Sequence, residues 1–243
     1  MPYRRLPNTD SARCKALWKA CEKGKETPPF KLAFTQGTYQ KIVSFLPLYE
    51  KAIRKQRETF SVQTDYNKEY HRLMRKARMY ISHFVQVVNM AIRRGELPAG
   101  TMEHYSLNGH KSKVPPLNTE EDIIKWGKVL IDGEASRIKK GQHPITNPTI
   151  AVVKVRYEQF LEACMNQESL QQSNNRAHKE LSELRPQADE LITAIWNEVE
   201  NSFKDLPDQL KREKAEDYGL VYVFRKNELQ GRNLFLSAHA EII

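Results

Sequence analysis

Apolar residues return every three or four positions through four stretches of this chain, the spacing that keeps side chains on one face of an α-helix. The first stripe runs Ile42, Leu46, Tyr49, Ile53 and Phe60, with Gln56 as its polar exception, and the second Tyr70, Met74, Ala77, Ile81, Phe84, Val88 and Ala91. The third is Ile150, Val153, Tyr157, Phe160, Leu161 and Cys164, and the fourth Leu181, Leu184, Ala188, Ile192, Ile195, Val199 and Phe203. Polar residues interrupt each pair of stripes: Ser61, Gln63, Thr64, Asp65 and Asn67 in one, Gln167, Gln171, Gln172, Ser173, Asn174 and Asn175 in the other. Two structures compete, a single helix of more than about 50 residues and a helical hairpin turning near Thr64. Pro47 and Pro186 each remove a helical hydrogen bond and are expected to kink or restart their helices.

Internal similarity favours the hairpin. Tyr49-Glu50, Gln63 and Asn67 recur as Tyr157-Glu158, Gln171 and Asn175 at a shift of 108. Ala77, Ile81, Val88 and Arg93 recur as Ala188, Ile192, Val199 and Lys204 at a shift of 111. Three additional residues are absorbed easily in a turn, whereas they change the phase of a packed helix. Each predicted hairpin has a short leading helix. Asn8-Thr9-Asp10 offers N-caps before Ala12, Ala16, Leu17 and Ala20, closed by Gly24 and Pro28-Pro29. Asn118-Thr119-Glu120 repeats that signature before Ile123, Ile124, Leu130, Ile131 and Ile138, closed by Gly141 and Pro144.

The expected fold is therefore mainly α, with duplicated helical hairpins forming a four-helix bundle, short leading helices and a small C-terminal β element. Residues 1–100 form helical repeat 1, 101–117 a crossover loop, 118–207 helical repeat 2, and 208–243 a short helix followed by a strand or hairpin. Leu220 to Phe224 has strand character, with Leu234 to Leu236, or a second copy of the chain, as its expected partner.

Charge divides unevenly between the repeats. Residues 1–114 hold 22 Lys plus Arg against 9 Asp plus Glu, while residues 115–243 hold 17 against 21. A turn near Thr64 places Arg54, Lys55 and Arg57 level with Arg72, Arg75, Lys76 and Arg78, a cationic belt and the candidate anion or nucleic-acid site. At the matching places of repeat 2, Arg54, Arg72 and Arg75 are replaced by Glu162, Glu180 and Glu183. The belt has two readings. Clustered cations displace counterions from a polyanion, or a basic repeat simply complements an acidic one, within the chain or between subunits.

The side chains that advertise catalysis lack their usual arrangements. None of the seven histidines pairs with another at i, i+4 or follows a Glu by three residues, and no phosphate-binding glycine loop, nucleophile elbow or Cys-x-x-Cys is present. No metal ligand set, cofactor or catalytic residue is assigned. His83 and His178 read as hydrogen-bonded structural residues, and Cys14, Cys21 and Cys164 as buried fillers. Gln56, Gln63, Asn67, Gln171 and Asn175 would line a pocket only if the long helices were continuous. The first residues carry no apolar leader, and no stretch approaches the roughly 20 apolar residues that span a bilayer. The expectation is a cytoplasmic protein without a membrane partner.

The stretches 76–98, from Lys76 through Tyr80, Phe84 and Asn89 to Pro98, and 147–160, from Asn147 through Tyr157 to Phe160, resemble an uncharacterised all-helical bacterial family of about this length. The likeness runs to about Arg225. It implies neither catalytic nor binding residues. The functional expectation is a non-catalytic helical interaction or scaffold protein whose partner is itself or another protein. The alternative is a sequence-tolerant nucleic-acid-binding protein using the basic belt.

Overall fold

The computed structural model describes residues 3–107 and 113–223, and the fold is mainly helical. In chain order the elements are β1 (Tyr3–Arg4), α1 (Asp10–Glu26), α2 (Gln36–Arg93), α3 (Glu120–Lys139), α4 (Ile150–Ser202), α5 (Asp208–Glu216) and β2 (Tyr222–Val223). Two 3-10 turns, Pro29–Lys31 and Ala99–Tyr105, precede α2 and α3 respectively.

The leading helices form where the caps predict. Thr9 accepts a hydrogen bond from the Ala12 N–H, and Thr119 forms a reciprocal capping box with Asp122. Gly95, at φ +76°, terminates α2 as its N–H bonds to the Ile92 carbonyl.

The predicted hairpins do not form. Helix α2 runs unbroken for 58 residues through Thr64, and α4 for 53 residues through Gln171. Neither Pro47 nor Pro186 restarts its helix, and both are exposed, so the carbonyl each leaves unpaired can be hydrated. The phase argument fails because the neighbours of α2 change along its length. The chain divides into two compact units, residues 1–58 with 175–243 and residues 59–174. The first half of α2 packs in the unit that contains α1, and its second half in the unit that contains α3. A buried stripe that serves two sets of neighbours need not keep one phase.

Each unit has its own core, in place of a single bundle core shared by two hairpins. In the first, Leu17 and Ala20 of α1 join Ile42, Leu46, Tyr49 and Ile53 of α2 and Leu181, Ile192, Ile195, Trp196 and Val199 of α4. In the second, Ile123, Trp126 and Leu130 of α3 join Ala77, Ile81, Phe84 and Val88 of α2 and Val153 and Phe160 of α4. Phe60, placed on the first stripe by its spacing, is 57 % exposed instead.

Within each unit the segments of α2 and α4 are antiparallel. Thr38 pairs with Glu198 and Lys55 with Glu180 in the first unit, and Gln63 pairs with Asn174 and Tyr66 with Asn166 in the second. The polar run that suggested a turn supplies part of this second seam. The Asn174 side-chain amide donates to Gln63 Oε1 at 2.7 Å, and Thr59 Oγ1 donates to Asn174 Oδ1 at 3.4 Å.

The C-terminal β element exists, but with a different partner. β2 pairs antiparallel with β1, Tyr3 opposite Val223 and Arg4 opposite Tyr222. The alternative partner at 234–236 lies outside the described residues. Pairing with the N-terminal segment sets Arg4 beside Asn197 and Glu200 of α4.

Candidate functional site

In the first unit an open groove of about 560 Å³ lies between α1 and α2. Helix α1 contributes Ser11, Cys14, Lys15 and Trp18, successive positions of one face, and α2 contributes Glu50, Ile53, Arg54, Arg57 and Glu58. Ile53 is buried at its floor, while Lys15, Arg54 and Arg57 are exposed. The Trp18 indole is 50 % exposed, unlike Trp126 and Trp196, which are 6 % and 1 % exposed. Among the described residues neither Arg54 nor Arg57 forms an ion pair. The Cys14 thiol lies 3.8 Å from Glu50 Oε1. Burial and the Glu50 carboxylate push its pKa up, against the pull of Arg57, so the thiol is not activated as a nucleophile.

In the second unit a smaller groove of about 360 Å³ lies between α2 and α4. Tyr66, Glu69, Arg72, Leu73 and Lys76 form one wall, and Arg156, Gln159, Glu162, Ala163 and Asn166 the other. Arg72 Nε donates to Glu69 Oε2 at 2.7 Å, and this guanidinium holds the Glu69 carboxyl below the usual range. Arg156 donates to Gln159 Oε1 at 2.9 Å and sits 5.6 Å from the centre of the Tyr80 ring.

The turn that would have brought the seven candidate cations level is absent, and they divide between the two units. Arg54 and Arg57 line the α1–α2 groove, and Arg72 and Lys76 the α2–α4 groove. Lys55 pairs with Glu180 at 2.6 Å, and Arg78 donates to the Asn118 carbonyl beside the α3 cap at 3.1 Å. Arg75 is exposed. Of the candidate pocket residues, Gln63 is taken up by Asn174, while Asn67, Gln171 and Asn175 are exposed. His83 and His178 are exposed rather than held in a structural network. Sequence reasoning missed Trp18 and Arg156. Trp18 was detectable as an aromatic lying off the Ala16–Leu17–Ala20 stripe, whereas nothing local distinguished Arg156.

Much of the charge asymmetry is used inside the fold. Residues 1–58 carry 13 Lys plus Arg against 5 Asp plus Glu, and residues 175–243 carry 10 against 13. Both segments belong to the first unit. Arg4 pairs with Glu200, Arg13 with Asp189 and Lys55 with Glu180, and Asp10 pairs in the opposite sense with Arg185.

The groups with displaced pKa values mostly sit in ties between elements. Arg185 holds the Asp10 carboxyl below its ordinary range, opposed by burial and reinforced by the Tyr49 hydroxyl, which donates to Asp10 Oδ1 at 2.9 Å. Burial pushes the Cys164 thiol up to about 12, helped by Glu120. In α3, Glu134 and Arg137 are fully buried. Burial alone would raise the Glu134 pKa, but Arg137, the Ile145 N–H and the Tyr105 hydroxyl together leave it lowered.

Among the described residues no helix is long and apolar enough to cross a membrane, and no three His, Cys, Asp or Glu side chains cluster as metal ligands would. No protein-family model, curated protein or solved structure matches the chain.

Proposed function

We propose that the protein is a non-catalytic helical interaction or scaffold protein. The supporting observation is where its perturbed groups lie. In a catalyst, groups with shifted pKa values converge on a cavity. Here most of them are ties between elements: Asp10, Tyr49 and Arg185 join α1, α2 and α4, and Tyr105, Glu134 and Arg137 join the Ala99–Tyr105 turn to α3, while the shifted groups that do line the grooves are a thiol pushed up, Cys14, and a carboxylate held by a guanidinium, Glu69 with Arg72. The grooves are left with exposed cations and partly apolar walls, which suits binding. Sedimentation velocity across protein concentration and salt, with reciprocal capture of any candidate partner, tests the reading. Association that weakens with salt is expected; a monomer at every concentration with no reciprocally confirmed partner would sink it.

The two repeats fit this reading as copies of one ancestral unit. Each compact unit combines one leading helix, the first half of the long helix that follows it and the second half of the other long helix.

A second reading, nucleic-acid binding, is favoured by one observation: Arg54 and Arg57 stand exposed in a groove with a half-exposed tryptophan. It predicts sequence-tolerant DNA or RNA binding that falls steeply with salt. Arg54→Glu and Arg57→Glu in combination with Arg72→Glu, Arg75→Glu and Lys76→Glu should weaken it, with Arg78 left in place because it holds the Asn118 carbonyl. No binding at low salt would end this reading.

A further inference from the structure

We propose that the α1–α2 groove is a subsite for single-stranded nucleic acid, in which a base stacks on Trp18 and the flanking phosphates meet Lys15, Arg54 and Arg57. This rests on the second reading above. An aromatic face beside guanidinium and ammonium groups is the arrangement by which single strands are held without sequence preference. Trp18 offers half of its surface to solvent, and the three cations that line the same groove are exposed. The exposure of the lining residues favours a nucleotide strand over an acidic peptide helix. A docked helix needs a row of apolar pockets for side chains at i, i+3 or i+4, and i+7. Of the large apolar side chains that line the groove only Trp18 is exposed, since Ile53 is buried and Cys14 is half-buried. Three cations against Glu50 and Glu58 leave the lining net positive, with Glu50 engaged by the Cys14 thiol. Anionic phosphates are thus matched by charge and the base by the ring.

The burial of Trp126 and Trp196 makes Trp18 the reporter. The full chain is titrated with oligothymidylate of about 12 nucleotides, following tryptophan emission at salt concentrations from about 50 to 200 mM. Quenching that saturates and weakens with salt is expected. Trp18→Ala should lower the affinity about tenfold, the loss expected for one stacked base, while Trp18→Phe retains most of it. Arg54→Gln with Arg57→Gln should reduce the slope of log affinity against log salt by about 1.4, two phosphate contacts at about 0.7 each. An unchanged melting curve for Trp18→Ala shows that the variant is folded. Oligonucleotide binding that leaves Trp18 emission unchanged, or is unaffected by Trp18→Ala, overturns the subsite but not the second reading. Absence of binding at low salt overturns both. Equal quenching by polyglutamate of matched charge overturns the assignment of a nucleotide occupant.

Discussion

Replacing Arg137 by methionine should destabilise the second unit more than any surface change could, because it strands a buried carboxylate. Arg137 reaches Glu134 through Nε at 2.8 Å and Nη2 at 2.9 Å, and also donates to Gln142 Oε1 and the His143 carbonyl. Glu134 further accepts from the Ile145 N–H at 2.9 Å and from the Tyr105 hydroxyl. Both partners are 0 % exposed. Removing one member of such a pair costs about 3–5 kcal/mol, since the other remains desolvated and uncompensated. At roughly 2–4 °C per kcal/mol for a chain of this size, the melting temperature should fall by on the order of 10 °C. Glu134→Gln with Arg137→Met should recover part of the loss, because a neutral amide can accept from the Ile145 N–H through its oxygen and donate to the Tyr105 hydroxyl oxygen through its nitrogen.

The pH dependence supplies the sharper assay. In the native chain the folded-state pKa of Glu134 lies below its ordinary value. Its contribution is therefore complete above the unfolded pKa of about 4.3 and is lost as pH falls through the lower folded value. In Arg137→Met the sign reverses: burial without the guanidinium raises the folded pKa above the unfolded one. The carboxylate then penalises the folded state at neutral pH, and the penalty shrinks as pH falls toward the unfolded pKa. Denaturant unfolding of both proteins from pH 7 to pH 5 should show the gap narrowing. A gap below about 1 kcal/mol at pH 7, or one independent of pH, would refute the assignment of a buried ion pair.

Three further outcomes follow from the packing. Gly133→Ala should cost about 1–3 kcal/mol, because a Cβ there would meet the His104 carbonyl oxygen at 2.3 Å and backbone cannot rotate away; a change below about 0.5 kcal/mol in denaturant unfolding would contradict it. Ile81→Asp and Ile192→Asp place unpaired charges in the second and first cores respectively and should cost several kcal/mol each; a melting shift of about a degree or two would count against both assignments. Gln63→Leu and Asn174→Leu should be non-additive by about 0.5–1.5 kcal/mol in a double-mutant cycle, since each single change strands a hydrogen-bonding partner. Additivity to within about 0.3 kcal/mol would show that their hydrogen bond does not couple them.

What the sequence disclosed was local, and what it concealed depended on neighbours. The Thr9 and Thr119 caps, the apolar stripes apart from Phe60, and α5 at Asp208–Glu216 rest on contacts within a few residues, so spacing alone locates them. The polar run around Gln63 suggested a turn because a core-facing stripe should stay apolar, but where α2 meets α4 a narrow seam can be filled by a bonded Gln–Asn pair. Burial of ions was equally hidden. Glu69–Arg72 and Glu134–Arg137 share the same i, i+3 spacing, yet the first pair is largely exposed and the second fully enclosed. The distinguishing cue is the neighbouring Gly127 and Gly133, which admit the Tyr157 ring and the His104 carbonyl and let α3 approach too closely for its polar face to reach water. The candidate site follows the same logic. Arg54 and Arg57 were visible as charges, but their association with Trp18 required α1 to lie along α2, a contact between residues more than 30 positions apart that no local spacing encodes. A functional residue on a helical scaffold of this kind is thus legible in type before it is legible in company. Its chemistry is written in the residue, while its partners are set by which helix faces the first half of α2.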